Sequence, residues 1–595
     1  MCGIAGILSS QTAEADRLDA PLMRMQEALR RRGPDDSGLW ASGCGRARFA
    51  HTRLAILDLS PAGHQPMLSA DGALSIVFNG EIYNFRELRT ELERDGVVFA
   101  TQSDTEVLLR LYEQNGSAMV ERLRGMFAFA IWDAREGRAF LARDPLGIKP
   151  LYYVKRGGTL AFASEVKALQ QAGLTGRELD AGALMRFFES GSVAEPRTLL
   201  KEVCCLAAGH TLRWHDGTAE TQCFWEPRFG AVDIAPRAAV NLTRDALLDS
   251  VRHHFISDVP VGVFLSGGID STAVLALSIA NGQRDLQTFS IGVDDPALDE
   301  SSAAARTAAH FGTRHHELRL DAAAMSASFP QFLACMDQPS IDGFNTFTVA
   351  GFARAQGMKV VLSGLGGDEL FGGYPSFQKV PQLAHMARMI HRIPLSSLGG
   401  RVMERWMPRP PLRRVGSLLQ REPTLLNAWR TFRGVFTRRT ALILAARYAG
   451  CSVADIVEQQ DMALPDACEI DQVSACELSL YMRNQLLRDS DVMSMAHGLE
   501  LRVPFVDRAL FEAVARLPAS LRLQQGKRLL TDAVPEVPDW VAKAPKRGFL
   551  FPYEKWLAAE WGGAFAAVTA RLPDSKPTWY QRWSVFMLER WLERL

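Results

Sequence analysis

Over roughly the first 225 residues, apolar positions alternate in short stretches bounded by Gly, Asn, Asp and Pro, the pattern of antiparallel sheet. Residues 74–78 run toward an Asn-Gly pair at Asn79 and Gly80, which predicts a strand closed by a turn. Residues 125–133, GMFAFAIWD, set Phe127, Phe129 and Ile131 on one face and Ala128, Ala130 and Trp132 on the other. Both faces are apolar, so this strand is expected to be buried on both sides. Near residues 226–244 the period fades around two prolines, and a helical pattern follows from about Thr243. The expected organisation is an amino-terminal domain over 2–225, a linker over 226–244 and a carboxyl-terminal domain over 245–595. In the latter, three β-branched runs, residues 259–265, 286–293 and 358–362, each lead into a glycine-containing turn or a helix. That is the α/β pattern of a parallel sheet, which binds ligands at the carboxyl ends of its strands. From about residue 380 the pattern is mostly helical.

Composition narrows the function classes. The chain has 595 residues, 47% hydrophobic and 23% charged, an ordinary globular mix with room for more than one domain. Lys+Arg and Asp+Glu both total 67, which gives no electrostatic case for nucleic acid or a membrane as main partner and favours small-molecule substrates. Nine cysteines without CxxC pairs fit reduced thiols. The start, MCGIAGILSS, lacks a basic, strongly apolar leader, and no run of about 18 apolar residues occurs, so a cytoplasmic protein is expected. Oligomeric state is not legible, and a homodimer stays open.

Candidate chemistry begins at Cys2. Removal of Met1 would give this residue both a thiol and a free α-amine, whose ordinary pKa of about 7.7–8.0 suits it to take the thiol proton. A small buried apolar residue is the plainer account of a lone cysteine. Asn79 and Gly80 in NGEIYN offer an amide and a backbone N–H to a developing oxyanion. Arg53 and Asp104 offer one charge of each sign for the carboxylate and amine of a free amino acid. SGGIDS, residues 266–271, sits between a strand and a helix expected near Thr272, so its backbone N–H groups form an anion site. Asp270 within it makes sense beside phosphate when Mg²⁺ lies between them. SGLGGDELFGGY, residues 363–374, repeats that logic, and Asp368 pairs with Asp270 as a second candidate Mg²⁺ ligand. Lys546 and Arg547 lie in a basic loop suited to a phosphate or an activated intermediate, though an exposed loop explains them equally. His315, His316 and Glu317 lack a second cluster to make a metal site. No GxxxxGK[ST] sequence is present.

Taken in order, CGIAGI, HTRLAILD, NGEIYN, SDTE, SGGIDS, SGLGGDELFGGY, GLELRVPFVD and PKRGF resemble the glutamine-hydrolysing asparagine synthetase family over nearly the whole chain. The resemblance implies an α+β amino-terminal domain, an αββα sandwich of the Ntn-hydrolase type, followed by an α/β parallel-sheet PP-loop domain with a largely helical end. It implies ATP and Mg²⁺, with glutamine and aspartate as substrates. It assigns Cys2 as nucleophile, Asn79 and Gly80 as oxyanion hole, and Arg53, Asn79, Gly80, Glu81 and Asp104 as glutamine-binding. Residues 266–271 become the pyrophosphate loop, and Leu265, Ser266, Gly267, Gly268, Asp270 and Ser271 bind ATP. Ser290, Ile291, Ser363 and Gly364 complete the nucleotide site, Asp270 and Asp368 hold Mg²⁺, and Lys546 serves the adenylation transition state. Ammonia then passes through an apolar tunnel to an acyl-adenylate. The chain departs from the pattern at Leu365, where the family carries a Glu at the acceptor site. Either the base moves, to Glu369 or Asp489, or the acceptor is another carboxylate, such as a uronic acid of a surface polysaccharide or a natural-product precursor.

Overall fold

The computed structural model describes residues 2–11, 15–545, 551–573 and 576–595, with the side chains of 15–17 and 557–560 excepted. The amino-terminal half folds as two six-stranded antiparallel sheets packed face to face. In one, Gly3–Ser9 lies between Ala47–Arg53 and Thr159–Ala163; in the other, Gly125–Asp133 lies between Leu74–Ile82 and Arg138–Arg143. The alternation read in GMFAFAIWD has its reason here. Ala128, Ala130 and Trp132 face the layer between the sheets, while Phe127, Phe129 and Ile131 face the helices Phe85–Arg94 and Asp104–Asn115. Each such fully buried Phe contributes about 1.5–3 kcal/mol. Helices Ala15–Ala28 and Val166–Gln171 cover the other outer face, completing an αββα sandwich.

Two local expectations change. Leu74–Ile82 does not turn at Asn79-Gly80 but continues as one strand, Asn79 opposite Ala128 and Gly80 opposite Phe127. The glycine serves close approach: at φ 157°, a Cβ there would lie 2.1 Å from the Met126 carbonyl oxygen. The helix expected from about Thr243 begins at Pro236 and runs to His254, with proline at a first-turn position where its missing N–H costs nothing.

The carboxyl-terminal half is built on a five-stranded parallel sheet. Its order is Arg314–Leu320, Gln287–Val293, Val261–Phe264, Val360–Leu362, Glu500–Arg502. The three central strands are the β-branched runs. The outer two were illegible, one because it is a polar, half-exposed edge, the other because it is three residues long and charged. Chain order reverses around Val261–Phe264, a switch point where the loops leaving adjacent strands part and a crevice opens. Most elements after residue 376 are helices. Among the described residues no helix is long and apolar enough to cross a membrane.

Candidate active sites

Cys2 directly precedes the strand Gly3–Ser9 and is buried. Its amide nitrogen donates to Asn79 Oδ1 at 3.1 Å, and its carbonyl accepts from Arg32 Nε at 3.1 Å. Burial pushes the thiol above its ordinary range, while the amino-terminal charge, the Leu54 N–H and Arg53 pull it back. Asn79 is fully buried, and its Nδ2 has no hydrogen-bond partner among the described residues. A buried unpaired donor costs about 1–3 kcal/mol, so a donor beside a thiol suits an oxygen that gains charge there.

Arg53 ends the strand Ala47–Arg53, with Nη1 on the Ser60 carbonyl at 3.0 Å and Nη2 on those of Leu57 and Asp58. Asp104 opens the helix Asp104–Asn115 and accepts from the Ile82 N–H at 3.0 Å. Burial, with Glu500 nearby, raises its carboxyl to about 6. Glu81 is buried too, and burial and Glu500 push its pKa well up.

The cation facing Glu81 comes from the other half of the chain. Arg502, on the outermost strand of the parallel sheet, places Nη2 3.4 Å from Glu81 Oε2 and Nε 2.5 Å from Glu500 Oε1. Nη1 caps the carbonyls of His254 and Ile256 at 2.8 and 2.6 Å. The same residue's carbonyl accepts from the Ser363 N–H at 2.9 Å, tying it to the second glycine-rich loop. Glu500 and Arg502 lie in the run GLELRVPFVD that marks the resemblance, but a short charged strand carries no periodicity from which to read their roles.

A cleft of about 1810 Å³ opens at the carboxyl ends of the parallel strands. Leu265, Ser266, Gly267, Gly268, Asp270 and Ser271 line it, together with Ser290, Ile291, Ser363, Gly364 and Asp368. The helix after the first loop starts at Ile269, earlier than expected, so Asp270 lies in its first turn. The Ser271 hydroxyl braces the loop through the Ser266 N–H at 3.2 Å and the Ser266 hydroxyl at 3.1 Å. Glycine is required where the loops meet, since a Cβ on Gly364 would sit 2.7 Å from the Ser271 nitrogen.

Asp270 and Asp368 converge on one point, occupied by the ammonium of Lys527, which pairs with Asp270 and lies 2.5 Å from Asp368 Oδ1. Burial opposes that charge, yet the two carboxylates hold Lys527 above the ordinary lysine range. Two carboxylates already sharing one cation beside a glycine-rich loop are a donor set that fits Mg²⁺ with phosphate. Lys527 itself carried no sequence signal beyond following a glycine. Lys546 and Arg547 lie outside the described residues.

Deeper in the cleft, Tyr374 donates to Glu369 Oε1 at 2.8 Å, and burial beside Asp368 raises Glu369 to about 7. Leu365 lines the cleft half-buried, where it offers packing and no proton acceptor. Asp489, raised to about 6 by burial, accepts from Ser340. His315 bonds Thr288 Oγ1 at 2.9 Å and Ser290 Oγ at 3.1 Å inside the sheet, and no group of three or more His, Cys, Asp or Glu side chains that could hold a metal occurs among the described residues.

An antiparallel sandwich with a buried cysteine at the start of an inner strand, joined to a parallel sheet with a glycine-rich loop at its switch point, fits an enzyme of the amidotransferase and ATP-dependent ligase class. Residues 1–225 match the model of the glutamine amidotransferase domain and residues 242–582 that of asparagine synthase. The chain is 34% identical over 573 residues to asparagine synthetase [glutamine-hydrolyzing] 1 of Bacillus subtilis, covering 94% of this chain and 88% of that protein. It is 29% identical to asparagine synthetase [glutamine-hydrolyzing] 3 of the same organism, over 89% of this chain and 83% of that one. It is also 27% identical to amidase chry2 of Gibberella zeae, over 93% and 90%. The chain belongs to the asparagine synthase family and is an ATP-dependent, glutamine-dependent ligase.

Proposed function

We propose that this ligase makes asparagine from aspartate, with each half of the chain supplying one reaction. At the first site, glutamine lies with its α-carboxylate toward Arg53 and its α-ammonium toward Asp104 and Glu81. The Cys2 sulfur attacks the amide carbon after its proton passes to the α-amine exposed by removal of Met1. Asn79 Nδ2 and the Gly80 N–H receive the oxyanion, ammonia leaves, and water cleaves the thioester to glutamate. At the second site, the loop at residues 266–271 holds the pyrophosphate of ATP. The acceptor carboxylate attacks the α-phosphorus, pyrophosphate leaves, ammonia attacks the acyl carbon, and AMP departs. Mg²⁺ held by Asp270 and Asp368 would neutralise the leaving pyrophosphate. Lys527 then carries its own charge to the phosphates. Keeping ammonia and acyl-adenylate from water accounts for both sites in one chain. The observation that carries the ATP-dependent half of this reading is the convergence of Asp270, Asp368 and Lys527 between two glycine-rich loops, and aspartate as acceptor rests on the likeness to asparagine synthetase [glutamine-hydrolyzing] 1.

Leu365 favours a second reading, with the same chemistry on another carboxylate. Pyrophosphate release by the purified protein with ATP, Mg²⁺ and glutamine separates the two. Release stimulated by L-aspartate, with asparagine identified by mass, supports the first; glutamine hydrolysis without aspartate-stimulated release rejects aspartate.

The pKa of Asp104 gives a pH test. With a carboxyl near 6, the group is charged above that pH and neutral below it. The glutamine KM is therefore expected to rise by about tenfold per pH unit below 6. Ammonia-driven synthesis, which bypasses this site, should lack that limb; a glutamine KM flat from pH 7 to about pH 5 removes Asp104 from the site.

A further inference from the structure

The chain carries no net charge, but one stretch does. Residues 385–421 hold eight arginines, two histidines and a single glutamate. Seven of the 19 large hydrophobic side chains exposed among the described residues fall within 389–412. Leu395 is 77% and Trp406 72% exposed, values that soluble surfaces tolerate singly but seldom cluster.

The geometry shows why these side chains stay outside. Helices Ser396–Trp406 and Pro410–Leu418 pack closely, backbone against backbone, at Gly400 and Gly416. A Cβ on Gly400 would lie 2.7 Å from the Gly416 carbonyl oxygen. Gln420 Nε2 on Glu404 Oε2 at 2.7 Å braces the same seam and engages the only acidic side chain in the stretch. With the inner side committed, Leu398, Val402 and Trp406 recur every four residues along the outer side, Leu395 extending the stripe at the helix start. Arg401 and Arg405, also exposed and four apart, run beside it.

We propose that this helical hairpin is a docking surface for an anionic lipid bilayer. An apolar stripe with a tryptophan at its end and arginines along its flank matches acyl chains below phosphate headgroups. A second copy of the chain fits poorly, because a two-fold contact through this face would set arginines against arginines. Nucleic acid would engage the arginines and leave the stripe in water. Pro411 and Arg414 of the hairpin also line the ligand cleft, so docking brings the cleft to the lipid surface. The chain-wide charge balance, which argued against a membrane, averages this local excess away.

The test is co-sedimentation of the full chain with phosphatidylcholine vesicles, with and without about 30 mol % phosphatidylglycerol. Binding is expected only with the anionic lipid and to weaken as salt is raised. Arg401→Gln with Arg405→Gln should lower the partition coefficient on the order of 25-fold. Trp406→Ala with Val402→Ala should lower it independently of salt. All four positions are exposed, so melting temperatures should match the parent and exclude misfolding. Equal binding to both vesicles, no binding to either, or binding indifferent to both double variants overturns the proposal. A dimer dissociated by Val402→Glu, without lipid binding, also overturns it and assigns the face to a second copy.

Discussion

Cys2→Ala is expected to abolish glutamine-dependent amide formation, by about 10³-fold or more, while synthesis driven by added ammonia continues at the parental rate. The size follows from the loss of a covalent route: the serine or thiol of such a site is the bond-forming atom, and nothing nearby replaces it. Asn79 Oδ1 holds the Cys2 nitrogen at 3.1 Å, and this contact is to the backbone, so the substitution leaves the pocket shape intact. The independence of the ammonia reaction follows from the fold, since the nucleotide cleft is lined from the carboxyl-terminal half except at Ser190 and Ser192, and Cys2 is not among its lining residues. Rates measured with glutamine and with ammonium chloride give the answer. Loss of both activities would mean that the two sites are not separate, and retention of both would remove Cys2 from the chemistry.

Asp270→Asn should cut ATP-dependent pyrophosphate release by about 10²–10³-fold and leave glutamine hydrolysis standing. Asp270 lies in the first turn of the helix Ile269–Ala280, where a carboxylate already meets the favourable end of the helix dipole. Its energetic role is therefore directed outward, to the cation it shares with Asp368. Asparagine keeps the size and loses the charge, so Lys527 is left paired with Asp368 alone, and a divalent ion loses one of two anionic ligands. Pyrophosphate release assayed across Mg²⁺ concentrations tests this. Unchanged release at all Mg²⁺ levels would end the metal assignment, whereas partial rescue at high Mg²⁺ supports it.

Much of this architecture is written in local patterns. GMFAFAIWD announces a doubly buried strand, and the two glycine-rich runs announce loops at strand ends, because burial and close approach leave compositional marks. Asn-Gly at 79 and 80 misled because the pair also forms the commonest hairpin turn; only the partner strand, with the Met126 carbonyl 2.1 Å from a would-be Cβ, shows that glycine there serves contact. The roles of Lys527, Glu500 and Arg502 were invisible for another reason. Lys527 and Arg502 face acids far away in sequence, Asp270, Asp368 and Glu81, with Glu500 pairing to Arg502 beside it, and pairing of that kind has no period to read. The basic hairpin escaped through averaging, its arginines offset by acids elsewhere.

Arg502 has a bearing on how this enzyme can be divided. A cut between Cys223 and Pro236 severs no regular element among the described residues, and by chain topology the two halves look separable. Electrostatically they are not. An isolated amino-terminal half would keep Glu81 and Asp104, proposed above to meet the glutamine α-ammonium, but lose the guanidinium that faces Glu81. It would lose Glu500 as well, the charge that pushes Glu81 and Asp104 up, so the electrostatic setting of both carboxylates is completed from the other half of the chain. The unit of inheritance for the glutaminase is thus longer than its own fold, which gives a physical reason for both activities to travel in one polypeptide.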